Sequence, residues 1–269
     1  MPTTEDARFL IREPAEEYHA KAGDFLSSHL LADFRKCPLL YHRKRLGLVS
    51  EDRYRPAFVI GRSAHCLILE GREAFGEQFV VGGPINPKTG TPFGPNTKAF
   101  ADWERAHGKT VLTDEQYHLV YRMSESVRGH AEAADLLKEG VPEGVVRAEY
   151  CGVPCQIRMD WFDVHRGIVD LKTCDDLTYF ESDARRFGYG HQLAFYRAVL
   201  SQKIGVWMPV FLIAVEKKEP HRCGVWKVDP QVLSIAQGEN EAAIGRLQRC
   251  LEKDHWPTGY EELRLFCAA

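Results

Sequence analysis

Asp160, Asp170 and Lys172 lie in the segment RMDWFDVHRGIVDLKTCDD, and their types and spacing suit metal-dependent hydrolysis of a phosphodiester. Asp160 sits late in one apolar stretch and Asp170 in the next, across a short turn. Pairing of two antiparallel strands would bring these carboxylates within several ångströms of each other. They would then repel and shift each other's pKa unless a cation lay between them. A hard divalent ion with oxygen ligands, Mg2+ or Mn2+, suits that arrangement. Lys172 follows Asp170 by two residues, so the period-2 alternation of a strand puts both side chains on one face. The metal would polarise the phosphate and acidify a bound water, while the lysine oriented that water or stabilised developing charge. The Leu171 side chain points the other way, but its backbone carbonyl can serve as a further metal ligand. Glu149, on the preceding strand, is the expected third carboxylate, for one metal or two. The alternative is a solvated hairpin carrying a surface ion pair. Ile168 and Val169 argue against it by marking the strand as buried, where unpaired acids are costly.

Three successive strands must position these residues: VVRAEYCG, VPCQIRMDWFDV and GIVDLKT, joined by short turns at Gly152 and His165–Gly167. A capping box at Thr178 and Glu181 is expected to open helical sequence that runs, with a break near Gly188, to about Ser201. WMPVFLIAVE and CGVWKV read as further strands, and a long helix covers 230–253. Upstream, Ser28 can cap a short helix, Pro38 starts a second that ends near Gly47, and 57–70 reads as a buried helix closed by Gly71. The Gly-, Pro- and Asn-rich stretch 82–97 is a loop, followed by helices over 97–107, 114–129 and 131–138. The expected fold is α/β: a mixed sheet flanked by helices with a helical N-terminal elaboration. Residues 1–26 read as a loosely ordered leader and 27–269 as a single domain, with 27–140 mainly helical and 141–260 the catalytic sheet and helices.

With 269 residues, 44% of them hydrophobic and 27% charged, the chain can bury a sizeable core. No apolar run approaches the roughly 20 residues that span a membrane, and the start of the chain lacks a basic-then-apolar signal, so a cytoplasmic location is expected. The net charge of −3 does not by itself point to nucleic acid. Clustering is more telling. Arg35, Lys36, His42, Arg43, Lys44 and Arg45 form one basic stretch, and Arg185 and Arg186 a second. The eight cysteines include no C-x2-C pair, which argues for scattered free thiols rather than a zinc or iron–sulfur site.

The order and spacing of these motifs resemble the PD-(D/E)xK nuclease superfamily, and within it the RecE (exodeoxyribonuclease VIII) group of phage exonucleases, near the RecB-type nucleases. SHLLADFRKCPLLYHRK is similar to the opening helix of RecB-type enzymes, GRSAHCLILEG to the family's Gly-x-x-x-His helix, GHQLAFYRAVL to its Gln-x-x-x-Tyr helix, and WPTGY to the group's C-terminal element. The resemblance implies a PD-(D/E)xK restriction-endonuclease-like fold. It implies Asp160 and Asp170 as metal ligands, Lys172 as the catalytic lysine, and Glu149 and His65 as additional metal-site residues. Gln192 and Tyr196 would contact the scissile phosphate or the DNA end, and Arg35, Lys36, Arg43, Lys44 and Arg45 would hold phosphates. It further implies a Mg2+-dependent exonuclease acting on ends of linear double-stranded DNA, 5′→3′, leaving a 3′ single-stranded tail for an annealing protein in recombination, and a homo-oligomeric ring. Some RecB-type enzymes carry a four-cysteine iron–sulfur cluster; here Cys37 has no matching C-terminal trio, so no cluster is expected. No Walker A pattern is present, and no ATP requirement is expected. A PD-(D/E)xK endonuclease, a single-strand nuclease, or a non-catalytic DNA-binding or assembly subunit are the rival readings.

Overall fold

The computed structural model describes residues 7–49, 56–94 and 96–265. The chain order is α1 (Ala15–Ala20), α2 (Ser28–Lys36), α3 (Pro38–Arg45), α4 (Pro56–His65), α5 (Gly71–Gln78), β1 (Phe79–Val81), α6 (Lys98–His107), β2 (Thr110–Leu112), α7 (Asp114–Gly129) and α8 (Ala131–Leu136). It continues through β3 (Val141–Tyr150), β4 (Val153–Asp163), β5 (Gly167–Cys174), α9 (Phe180–Arg186), α10 (Tyr189–Ile204), β6 (Val210–Glu216), β7 (Cys223–Lys227) and α11 (Pro230–Lys253). β3 to β7 form one five-stranded sheet in sequential order, and β1 pairs with β2 in a separate two-stranded sheet. The large sheet is mixed: β3–β4–β5 is an antiparallel meander, β6 runs parallel to β5, and β7 returns antiparallel. The parallel pair needs a crossover, which α9 and α10 supply.

Helices cover both faces of this sheet. On one face Leu193, Ala194, Phe195, Ala198 and Val199 of α10 are buried in a core shared with α2, α11 and Ile168 of β5. α10 is apolar nearly all round because it lies between the sheet and the α2–α11 pair. On the other face α4 and α7 pack Ile60, Ala64, Val120 and Met123 against Val169 and Leu171 of β5. Leu10, Tyr18 and Leu26 are also buried, and Ile11 and Leu26 bridge to Val145 and Cys155, so residues 7–26 pack along β3 and β4 rather than trailing loosely. Residues 1–6 of the expected leader, like Cys267, lie outside the described residues. Among the described residues no helix is long and apolar enough to cross a membrane.

Two turns fix how the meander is set. Cys151 and Gly152 (φ 52° and 71°) form a two-residue hairpin loop between the paired Tyr150 and Val153, the geometry that matches strand twist. Gly167 (φ 121°) starts β5 so close to β6 that a side chain there would run into the Pro209 carbonyl oxygen. The expected capping box at Thr178 is absent. Asp176 takes that role by accepting from Thr178 N at 2.8 Å, and Glu181 accepts instead from Trp226 Nε1 at 3.2 Å. The helix predicted over 57–70 is α-helical to His65 and π-helical over Cys66–Glu70, and a new helix, α5, starts at Gly71.

The exit of β5 toward α10 is tied down by Glu216, whose carboxylate accepts from Leu177 N at 2.7 Å and from Arg222 Nε at 2.8 Å. The Arg222 guanidinium pulls the Glu216 carboxyl down to about 2. A carboxyl lowered on folding adds stability that is complete above its ordinary value near 4.5 and is lost as the pH falls from there toward 2. Arg222→Met leaves the Glu216 carboxylate without its counter-charge, so the folded state loses stability at neutral pH. Urea titrations should show that loss at pH 7 and its disappearance toward pH 2.

Candidate metal centre and active site

β4 and β5 pair from Asp163 and Gly167 up to Trp161 and Val169, where the ladder stops. β5 continues against β6 alone. The two strands therefore part at Asp160 and Asp170, opening a wedge that their side chains line. The Leu171 N–H points into it and donates to Asp160 Oδ2 at 2.8 Å. A strand residue's N–H and C=O point the same way, so the Leu171 carbonyl also faces the wedge, on the side of His65.

The in–out alternation of β4 changes phase here. Ile157 and Met159 face the core under α10, Trp161 faces the opposite core, and Phe162 faces the first again. Across the ladder Pro142 pairs with Trp161 and Gly144 with Met159, which places Glu143 opposite Asp160. Glu143 has a φ of 55°, a left-handed backbone that is uncommon outside glycine and concentrates at functional sites. His65 enters from the end of α4, just before the π-helical turn, a helix distortion frequent at such sites. Ligand atoms of His65, Glu143 and Asp160 all lie within 4.8 Å of one another, and His65 Nδ1 is 3.4 Å from Asp160 Oδ2. Arg158, on the same strand as Asp160, forms an ion pair with Glu143, Nε lying 2.7 Å from Oε2.

Asp170 is wholly buried. Its Oδ1 accepts from Gln192 Nε2 at 3.2 Å, and the same amide donates to Tyr196 Oη at 3.1 Å. Its Oδ2 lies 2.5 Å from Lys172 Nζ, yet no aligned hydrogen bond satisfies that oxygen. Lys172 Nζ also sits 4.9 Å from the centre of the Tyr189 ring. Burial raises the Asp170 carboxyl to about 6 despite the Lys172 charge. Burial and the facing Asp160 raise Glu143 to about 8, and burial raises Asp160 too. His65 falls to about 4 through burial and the Lys172 charge, so its ring is neutral and free to ligate. Burial alone would lower Lys172, but Asp170 and Asp160 hold it above its ordinary value and keep it charged.

Three carboxylates that resist ionisation together, one with an unsatisfied buried oxygen, fit a divalent cation. With a carbonyl and one imidazole beside them, the donor set is oxygen-rich, as a hard divalent cation prefers. The residues suggested by sequence divide clearly. Asp160, Asp170, Lys172, His65 and the Leu171 backbone converge. Glu149 does not: it is exposed and pairs with Pro154 at the far end of the hairpin, roughly 20 Å along the strand from Glu143. Glu143 occupies the place foreseen for it. Gln192 reaches Asp170 directly, whereas Tyr196, expected to contact DNA, is buried and its Oη accepts from Gln192 Nε2 at 3.1 Å. Lys44 pairs with Asp33, and Arg45 donates to the Gly23 carbonyl and Tyr41. Arg35 and Lys36 line a cleft that reaches Gln192, and Arg43 is exposed. Cys37 caps α3, its Sγ accepting from Leu40 N at 3.4 Å.

Glu143→Gln should weaken Mn2+ binding roughly 10- to 100-fold, the usual effect of losing a group at a metal site's edge. Glu149→Gln should leave it unchanged. Calorimetric titration of both variants checks the assignment.

A family model, described as "PDDEXK-like domain of unknown function (DUF3799)", matches residues 27–267. No curated protein matches the chain. A solved structure described as a "Putative exonuclease" from Eubacterium rectale superposes with a TM-score of 0.69 at 16% identity, over 96% of this chain and 97% of that one. At that identity the likeness establishes a shared fold.

Proposed function

The chain belongs to the DUF3799 family of PDDEXK-like domains, and on that premise we propose that it is a Mg2+-dependent, ATP-independent exonuclease that degrades one strand of linear double-stranded DNA. The observation that carries this reading is the unsatisfied Oδ2 of buried Asp170 beside Lys172, in a wedge shared with Asp160, Glu143 and His65. The carboxylates of Asp160, Asp170 and Glu143, the His65 imidazole and the Leu171 carbonyl would hold Mg2+, with Mn2+ able to substitute. When bound, the ion supplies Lewis acidity toward the phosphate. The Lys172 ammonium, kept charged by Asp170 and Asp160, donates a hydrogen bond to the attacking water or to the oxygen on which charge develops. Gln192 fixes the orientation of Asp170. Arg35, Lys36 and Arg43 supply charge to neighbouring phosphates.

The name of the Eubacterium rectale protein favours action at ends over internal cutting. The finer properties follow from the RecE resemblance of the motifs. These are 5′→3′ digestion, a 3′ single-stranded tail handed to a single-strand annealing protein, a ring-shaped homo-oligomer around the duplex, and work in the cytoplasm.

Linear duplex labelled at the 5′ or at the 3′ end, alongside the same DNA as a closed circle, tests this directly. With Mg2+ and no ATP, the 5′ label should leave first as mononucleotide, circles should stay intact, and EDTA should stop the reaction. Cutting of closed circles would overturn the exonuclease reading, and loss of the 3′ label first would reverse the polarity.

A further inference from the structure

We propose that the basic cleft between α2, the α9–α10 junction and α11 holds a single strand of DNA beside the cleavage centre, with Phe187 as the platform on which a base stacks. The inference deepens the nuclease reading and rests on it. The cleft has a volume of about 710 Å³ and reaches Gln192, which holds Asp170. That size takes one or a few small-molecule-sized units.

Its charge is compensated only in part: Arg35 lies 3.9 Å from Glu239, Arg185 3.9 Å from Glu181 and Arg186 3.0 Å from Asp183. The cleft's acids are engaged, Asp33 by Lys44 and Glu239 by His191. Lys36 and Arg246, in contrast, have no carboxylate partner among the described residues. Such charge tracks a phosphate backbone. Phosphates alone do not explain Phe187, which lines the cleft yet is 57% exposed. Its ring lies 5.9 Å from that of Tyr189 at an interplanar angle of 30°. The Arg186 guanidinium sits 4.5 Å from the Phe187 ring centre, and Lys172 Nζ 4.9 Å from that of Tyr189. Gly188, with a φ of 72°, joins the two helices between the aromatic residues. These side chains form a row from Arg186 through Phe187 and Tyr189 to the lysine at the metal centre, with more than half of Phe187 open to solvent. Exposed aromatic faces alternating with cations are how proteins grip unpaired bases without reading their sequence.

Fluorescence anisotropy in EDTA on an Asp170→Asn background, which cannot cleave, tests the assignment. The probes are a short mixed-sequence single strand, its duplex, and a matching strand lacking bases. Phe187→Ala should weaken single-strand binding roughly 5- to 100-fold, and Phe187→Trp should restore it. The base-free strand and the duplex should bind both proteins alike. Lys36→Ala and Arg246→Ala should instead weaken the single strand and the base-free strand alike and flatten their salt dependence by about 0.7 per residue removed. The proposal falls if Phe187→Ala binds the single strand as its parent does, or loses the base-free strand equally. The exposure of Phe187 makes misfolding a poor explanation, and a thermal melt checks it. Absence of metal-dependent cleavage by the wild-type chain would sink the nuclease reading instead, while the anisotropy still decides what the cleft binds.

Discussion

Asp170→Asn is expected to slow metal-dependent cleavage of linear duplex DNA by roughly 10³- to 10⁴-fold, measured in single turnover with enzyme in excess. The substitution changes charge with little change in shape. Asparagine keeps a carbonyl oxygen to accept from Gln192, and the packing against α10 is undisturbed. What disappears is the negative charge on a buried oxygen that has the Lys172 ammonium beside it but no aligned hydrogen bond. A divalent ion stabilises the folded state in proportion to its occupancy. Wild-type melting temperature should therefore rise on adding Mn2+ to apo protein, and Asp170→Asn should lose most of that rise. Its melting temperature in EDTA should stay within a few degrees of wild type. Single-strand binding in EDTA should persist, because the cleft's cations and Phe187 are untouched. Wild-type cleavage by this variant would show that the wedge is a buried polar network without a metal role.

Most of the site was legible from local pattern. Asp170, Leu171 and Lys172 follow from strand alternation alone, and the apolar run before them marks the strand as buried. His65 and Gln192 were not legible from the residues around them; they were found through motif resemblance. A histidine at the end of a buried helix says nothing about which strand that helix crosses. Glu143 and Glu149 differ by register alone. Both lie on the strand before Asp160, and the length of the turn at Gly152 decides which of them faces it. Counting outward from a two-residue turn at Cys151–Gly152 pairs Tyr150 with Val153 and brings Glu143, not Glu149, opposite Asp160. The register was readable from turn length, since loop length and turn type set it in a hairpin. What no local pattern reveals is the left-handed backbone at Glu143 or the parting of β4 from β5. Those depend on how the twisted meander meets β6 and the helices on both faces. Tyr196 failed for a related reason. Spacing put it one helical turn from Gln192, but α10 is buried on nearly every side, so sharing a face with Gln192 did not make it accessible.

Lys172→Met should separate ligand from catalyst. Methionine fills the same length of cavity and removes only the ammonium, so cleavage should fall roughly 10²- to 10³-fold, the loss typical of one preorganised donor at a developing charge. Metal binding should move the other way. In the apo protein Lys172 is the cation nearest Asp170 Oδ2, at 2.5 Å, and it competes with a divalent ion for that oxygen. Removing it leaves the buried carboxylate uncompensated, which lowers the apo melting temperature. The same removal enlarges the stabilisation gained on adding Mn2+. Lys172→Arg should not restore the rate. The ammonium sits over the Tyr189 ring in a side-chain environment only 16% exposed, where a planar guanidinium is not interchangeable with a compact point charge. A Lys172→Met protein that cleaves at the wild-type rate would refute the role given to the lysine. One that instead loses the Mn2+-dependent stabilisation would show that Lys172 acts by organising Asp170 for the metal, and the donor at the reacting phosphate would have to be sought among the arginines of the adjoining cleft.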